Sequence, residues 1–343
     1  MRCYSKERKR MNRPTSIKPS RRHLVLGLGL AGMISLAPVA ATAYPTKPVT
    51  MVVPFSAGGP TDTVARTLAQ AMEKSLGQPV IVENKPSAGG IVAPAEIARA
   101  APDGYRILIH HIGMSTAPAL YRKLSYKPLE DFEHLGLVNA VPMTLIARGD
   151  FPASNLKDAV SYVKANAQKI NLANAGLGAA SHLCGLMFQS AINQVLTTVQ
   201  YKGTGPAMTD LIGGQTDLMC DQTTSTTPHI KGGRVKALAI TTPKRLDALK
   251  DVPTASEGGF KDFELSVWHG LYAPKGTPAD VTAKLNNSLR AALKDPAFAK
   301  RMADLGSEVF SDNMATPAEH KKLLAAETER WGKLIRAAGQ FAD

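Results

Sequence analysis

The chain has 343 residues, 44% hydrophobic and 6% aromatic, with 28 glycines and a formal charge of +13. That is enough material for two cored domains and excludes a disordered chain. The charge is unevenly placed: residues 1–43 hold nine Lys/Arg against Glu7 alone, leaving 32 bases, 27 acids and a net +5 without a basic run, so nucleic acid is excluded as a partner class.

In chain order, the first feature is an export signal. A basic segment ends at Arg21-Arg22, an apolar stretch runs from Leu24 to about Ala37, and Ala41-Thr42-Ala43 reads as an A-x-A cleavage site. Cleavage near Ala43 leaves Tyr44 first and places the mature protein in the periplasm. Residues 20–24 partly match a twin-arginine signal, but Leu24 stands where Phe is usual, so both export routes stay open. The competing reading is an uncleaved anchor, because residues 24–46 carry no charge; the glycines and Pro38 favour cleavage. GLGLAG at 27–32 matches the dinucleotide pattern G-x-G-x-x-G, yet it follows no strand and is a coincidence of the signal. Cys3 leaves with the signal. Cys184 and Cys220 fit no metal spacing and are expected as buried free thiols rather than as a disulfide.

From Lys47 onward, β-branched runs alternate with helical patterns. Strands are expected at 50–53, 80–82, 106–109, 169–172, 196–199, 216–219 and 235–240. Helices are expected at 62–76, 91–101, 156–165, 183–192 and 207–212, then at 279–293, 296–305 and 317–338. This alternation predicts an α/β fold with mostly parallel sheets. Composition shifts near 148–152 and 258–262 mark two hinges, placing residues 44–147 with 263–343 in one domain and 148–262 in the other.

Four stretches are candidates for the site. The first is VVPFSAGGPTDTVAR at 52–66: strand, glycines, then helix, a turn that aims backbone N–H groups and a helix start at an anion. Ser56, Ala57, Gly58 and Gly59 form the turn, and Thr61 or Asp62 opens the helix. Asp62 precedes Arg66 by four residues, so it is equally readable as a capping acid paired with that arginine. A Walker loop needs Gly-Lys-Ser/Thr here, and Pro60-Thr61 excludes it. The second is 174–183, with Gly178, Ala179, Ala180 and Ser181 before another helix. His182 follows, a possible acid or base but more simply a structural residue of the first helical turn. The third is 201–206, where Gly203 and Thr204 sit in a glycine turn. The fourth is CDQTTS at 220–225, where Asp221 is open to two roles, accepting from a ligand ammonium or capping a helix. His110 and His111 follow a strand and either line the cleft or are ordinary rim polars. There is no H-E-x-x-H, G-x-S-x-G or C-x-x-C, so metal, hydrolase and redox classes get no local support, and no cofactor is expected.

PFSAGGPTDTVAR at 54–66, ENKPSAGG at 83–90, PDGY at 102–105, YKG at 201–203 and LIGGQTD at 211–217 together resemble the tripartite tricarboxylate transporter substrate-binding family, the Bug receptors. GPTD at 59–62 and CDQTT at 220–224 resemble its aspartate-binding branch. The resemblance implies a periplasmic-binding-protein type II-like fold, two α/β domains closing on a carboxylate held by backbone amides of the loops at 56–62 and 176–181. It implies a monomeric receptor without enzymatic activity, serving the membrane subunits of a tripartite tricarboxylate-type transporter. The ligand-binding set expected from the residues and the resemblance together is Ser56, Ala57, Gly59, Thr61, Asp62, His111, Gly178, Ala179, Ala180, Ser181, Gly203, Thr204 and Asp221. Two alternatives remain: a sensory receptor for the same ligand, and an exported enzyme using His182 with Asp62 or Asp221.

Overall fold

The computed structural model describes residues 44–337 and Gly339. The expected signal, its cleavage site, Cys3 and the glycine pattern at 27–32 lie outside the described residues. Those described belong to one compact unit, residues 42–343.

Two sheets share one long strand. The first is ordered β2 (Val80–Asn84), β1 (Val49–Val53), β3 (Arg106–His111), β9 (Ser266–Pro274), β4 (Phe132–Arg148), with β10 (Glu308–Val309) also on β4. The second continues from β4 to β7 (Leu218–Gln222), β5 (Asn171–Asn174) and β6 (Thr197–Gln200), with β8 (Val235–Ile240) on the other side of β4. The pairs β1–β2, β1–β3, β5–β6 and β5–β7 are parallel, as the βα alternation predicts. Every pairing of β4 or β9 is antiparallel. The sheets are therefore mixed rather than mostly parallel, because the chain crosses between them along β4 and returns just before β9.

The crossing has a local cause. Up to Pro142, β4 pairs with β9; from Met143 it pairs with β7. Proline has no N–H to give a ladder, so a partner change there leaves no donor stranded. The Thr241 hydroxyl lies between the two crossings, accepting from Met143 N at 3.0 Å and donating to the Leu265 carbonyl at 2.6 Å.

On one face of the first sheet lie α1 (Pro60–Leu76), α8 (Ala279–Leu293) and α9 (Pro296–Asp304), and α10 (Pro317–Ala337) packs against α3 (Gly113–Leu120) and β4. Val64, Leu68 and Met72 recur every four residues along α1 and are fully buried with Leu285 and Leu289 of α8. Burial of each such side chain contributes about 1.5–3 kcal/mol. The shorter helices α2 (Val92–Ile97), α4 (Leu156–Asn166), α5 (Ala180–Ile192), α6 (Thr204–Ile212) and α7 (Thr223–Lys231) complete the layers. No helix among the described residues is long and apolar enough to cross a membrane.

The expectation of free thiols is overturned: Cys184 of α5 and Cys220 of β7 form a disulfide. Packing of α5 on β7 sets their Cα atoms 5.8 Å apart, within the usual bridging range of about 4.4–6.8 Å. The bond joins the helix that starts at the second glycine loop to the strand that carries Asp221.

Candidate functional site

The first loop is fixed from behind by Asp62. Its carboxylate accepts from Gly58 N at 2.9 Å, Arg66 Nε at 2.9 Å and Asn84 Nδ2 at 2.8 Å. Gly58 is left-handed at φ +78°, a conformation that favours glycine. Gly59 caps α1 and Pro60 occupies its first turn. With its carboxylate fully engaged, Asp62 shapes the loop, and it is absent from the cavity wall.

The second loop is held the same way. Asn174 Oδ1 accepts from Gly176 N at 2.9 Å, Ser181 Oγ from Ala175 N at 2.8 Å, and His182 Nδ1 from Gly178 N at 3.2 Å. Burial pushes the His182 imidazole down to about 4. A neutral ring closing its own helix start is the structural role weighed for it from the sequence.

The two loops and their neighbours interlock through glycines. A side chain on Gly203 would run into Ser56, and one on Gly205 would meet the Ala57 carbonyl at 2.8 Å. On the other flank, Gly89 lies against the Leu177 carbonyl, which also accepts from Tyr121 OH at 2.9 Å. Backbone touches backbone at both seams, closing the space between.

That space is a cavity of about 10 Å3, room for no more than about one water and far below the roughly 300–1,000 Å3 of sites for drug-sized ligands. Its wall gathers the starts of four helices: Pro60 and Thr61 of α1, Ala179, Ala180 and Ser181 at α5, Thr204 of α6, and Gln222, which caps α7. The first N–H groups of each helix have no partner within it, and each start carries about half a positive charge. No lysine or arginine lines the cavity. Such a wall attracts anions and leaves them no ion pair to escape from.

One feature of the wall has the opposite polarity. Asp221, fully buried at the end of β7, accepts from the Thr204 hydroxyl and the Gln222 N–H, while its Oδ2 has no partner. Gln222 Oε1 is also unpartnered. Burial pushes the Asp221 carboxyl up to about 7, only partly offset by those two donors. The cavity therefore offers N–H groups for carboxylates and bare acceptors for a donor on the same guest.

His111 lines the cavity and stacks on Phe55 at 4.7 Å. Its Nδ1 accepts from Gly113 N at 2.9 Å, so the neutral ring carries its proton on Nε2. His110 is instead turned to the Gly90 carbonyl at 3.2 Å and leaves the wall to its neighbour.

Of the expected ligand residues, Thr61, His111, Ala179, Ala180, Ser181, Thr204 and Asp221 meet in the cavity wall. Ser56, Ala57, Gly59 and Gly203 form the seam beside it, and Asp62 and Gly178 act within their loops. Phe55, Pro60, Ala175 and Gln222 complete the wall without having been singled out; Gln222 lay inside the polar cluster at 220–225, next to Asp221. Among the described residues there is no group of three or more His, Cys, Asp or Glu able to hold a metal. A larger groove lies between α5, residues 259–264 and α10. Leu186, Met187, Phe260 and Trp331 line it, and it collects neither helix starts nor a buried titratable group.

Residues 64–340 match the model of the tripartite tricarboxylate transporter family receptor. A UPF0065 protein from the TAR-I ttuE-ttuC' intergenic region of Agrobacterium vitis is 53% identical over 297 residues, 87% of this chain and 86% of that protein. Among solved structures, the periplasmic binding protein BugD is 55% identical with a TM-score of 0.85, covering 86% of this chain and 99% of that one. MatC from Rhodopseudomonas palustris, solved with bound malate, is 40% identical with a TM-score of 0.82, covering 85% and 100%. The family is one of solute receptors, not enzymes, and with four-fifths of its length matched the chain belongs to the tripartite tricarboxylate transporter receptor family.

Proposed function

We propose that this protein is a periplasmic receptor that captures a small dicarboxylate carrying an amino or hydroxyl group, of the aspartate type, and delivers it as a monomer to the membrane subunits of a tripartite tricarboxylate-type transporter. The observation that carries this reading is the unpartnered Oδ2 of Asp221 within a wall built from four helix starts. Carboxylates take the helix-start N–H groups; an ammonium or hydroxyl takes Asp221. The malate bound to MatC is a guest of this chemical class.

Capture works by closure of two lobes, residues 44–147 with 263–343 and residues 148–262, hinged where β4 leaves β9. Guest binding favours the closed arrangement by its difference in affinity for the two states. Helix-start amides rather than a guanidinium clamp keep release possible.

Native mass spectrometry of the protein as purified, followed by thermal shifts with dicarboxylates, tricarboxylates, acidic amino acids and aromatic acids, tests the class. Dicarboxylates and acidic amino acids are expected to raise Tm. A folded protein indifferent to all carboxylates would remove this reading.

Closure makes a separate prediction. Gly205 lies inside α6, where alanine is the better helix former by up to about 1 kcal/mol. Its Cβ would press on the Ala57 carbonyl across the seam. Gly205→Ala is therefore expected to hold the seam apart and weaken ligand affinity about tenfold, or about 1.4 kcal/mol, while ligand-free stability changes little because the seam can part. Calorimetric titration beside a thermal melt reads both quantities, and unchanged affinity would mean the seam does not govern binding.

A further inference from the structure

Thr61 stands on the cavity wall with its hydroxyl 3.2 Å from Nε2 of His269 on β9. What this hydroxyl shows the cavity depends on where its proton points, and a line of buried side chains decides that. Ser307 Oγ donates to the Ala140 carbonyl at 3.0 Å, so towards Asn139 it accepts. Asn139 Nδ2 donates to it at 2.8 Å, and the same amide nitrogen faces the Met302 sulfur, a weak acceptor, at 3.6 Å. The reversed amide would set its oxygen against that sulfur and take the Ser307 proton from the Ala140 carbonyl.

With the amide so oriented, Asn139 Oδ1 faces His269 Nδ1 at 3.0 Å. An amide oxygen only accepts, so the ring proton lies on Nδ1 and Nε2 is left as a lone pair. Full burial keeps the ring neutral, well below the usual imidazole range. The Thr61 hydroxyl must then donate to His269, which turns its own lone pairs to whatever occupies the cavity.

We infer that Ser307, Asn139 and His269 form a positioning relay that fixes Thr61 as an acceptor, so that Thr61 and Asp221 together select a dicarboxylate bearing a donor over its unsubstituted analogue. This rests on the carboxylate reading above and deepens it. Thr61 reaches the guest from the start of α1 and Asp221 from the end of β7, so the donor is read from both sheets. A hydroxyl free to rotate would serve either polarity and discriminate less.

The test is the ratio of Kd for succinate to Kd for malate, and to Kd for aspartate, by calorimetric titration of the full mature chain. Thr61→Val and Asn139→Leu are expected to lower both ratios about tenfold, the effect of losing one hydrogen bond to a polar or charged group. Nitrogen-15 NMR of the wild type should show the His269 proton on Nδ1, a readout that packing alone would not set and that does not depend on any variant folding. Unchanged ratios in Thr61→Val, or a proton on Nε2, would overturn the relay alone. Failure of the wild type to bind any of the three acids would overturn the carboxylate reading, and the selector with it.

Discussion

Asp221→Asn is expected to raise the melting temperature of the ligand-free protein at pH 8 while weakening its hold on an amino-dicarboxylate. The Asp221 carboxyl is fully buried with one oxygen unpartnered, and burial raises it from the ordinary 3.8 to about 7. A carboxyl whose folded value lies above its unfolded value favours the fold when protonated. Its cost to stability begins as pH rises past the unfolded value near 4 and is complete above about 7. A rise of about three units corresponds to roughly 4 kcal/mol, an upper figure for a group that local relaxation can ease. Asparagine carries no charge and escapes this cost. The same substitution removes the anionic partner of a ligand ammonium, a desolvated pair whose loss typically costs about 2–5 kcal/mol. Aspartate affinity should therefore fall at least about thirtyfold, and that of the deaminated acid much less. Melts at pH 6 and pH 8 follow the first effect, because about two-thirds of the stability gain is present at pH 6 and the whole of it above pH 7. A lower Tm at pH 8, or equal losses for both acids, would show that Asp221 is a structural cap.

Closure and the relay bear on the same economy of the site. Gly203 and Gly205 let the third glycine turn meet the first loop without side chains between them, while Asp221 carries an oxygen that no protein group satisfies. A receptor must leave such groups unsatisfied when empty, and the stability gained by Asp221→Asn would measure what that readiness costs.

The parts of the molecule legible in the sequence are those built from local βα units. β1 with α1, and β8, fall within a residue or two of their expected positions, because β-branched runs, Pro60 and Gly77 punctuate them. β4 and β9 had no comparable signal. Both are buried on two faces, so neither alternates, and Gly136, Pro142 and Gly270 interrupt them as loop residues would. Those two strands carry every antiparallel pairing, which is why the mixed character of the sheets was hidden along with them. The site followed the same division. Its loops announced themselves through glycine and the Asp62–Arg66 pair through its four-residue spacing, whereas the Cys184–Cys220 bridge and the relay behind Thr61 depend on contacts between distant segments. His269, Asn139 and Ser307 are separated by 130 and 168 residues and share no pattern until the sheet brings them together.

Burial of so many imidazoles makes acid the condition under which this fold should fail. Burial pushes His110, His134 and His182 down to about 4 and His269 to about 3, and drives His111 and His320 well below the ordinary 6.5. In each case the folded value lies below the unfolded one, so the fold favours the neutral ring. The stability this confers is fully present above about pH 6.5 and is lost as pH falls towards 4, where the unfolded chain is protonated and the folded chain resists. At pH 5 one such ring costs about 2 kcal/mol, so four of them remove stability comparable to the roughly 5–15 kcal/mol of a whole domain. Exposed ion pairs contribute elsewhere on the scale: Arg290 and Lys294 hold Asp312 down to about 2. Unfolding followed by tryptophan fluorescence and far-ultraviolet circular dichroism is therefore expected to begin below pH 6 and to be complete near pH 4. Trp268 is a suitable reporter, with its ring 6.1 Å from that of His320, which packs in turn on Tyr272 at 4.5 Å. His134→Phe removes a ring whose Nε2 has no partner and should move the midpoint to lower pH, flattening the slope of stability against pH by about one proton. A profile level down to pH 4 would mean that these rings are not held neutral by burial. The fixed His269 tautomer behind Thr61 would then lose its physical basis.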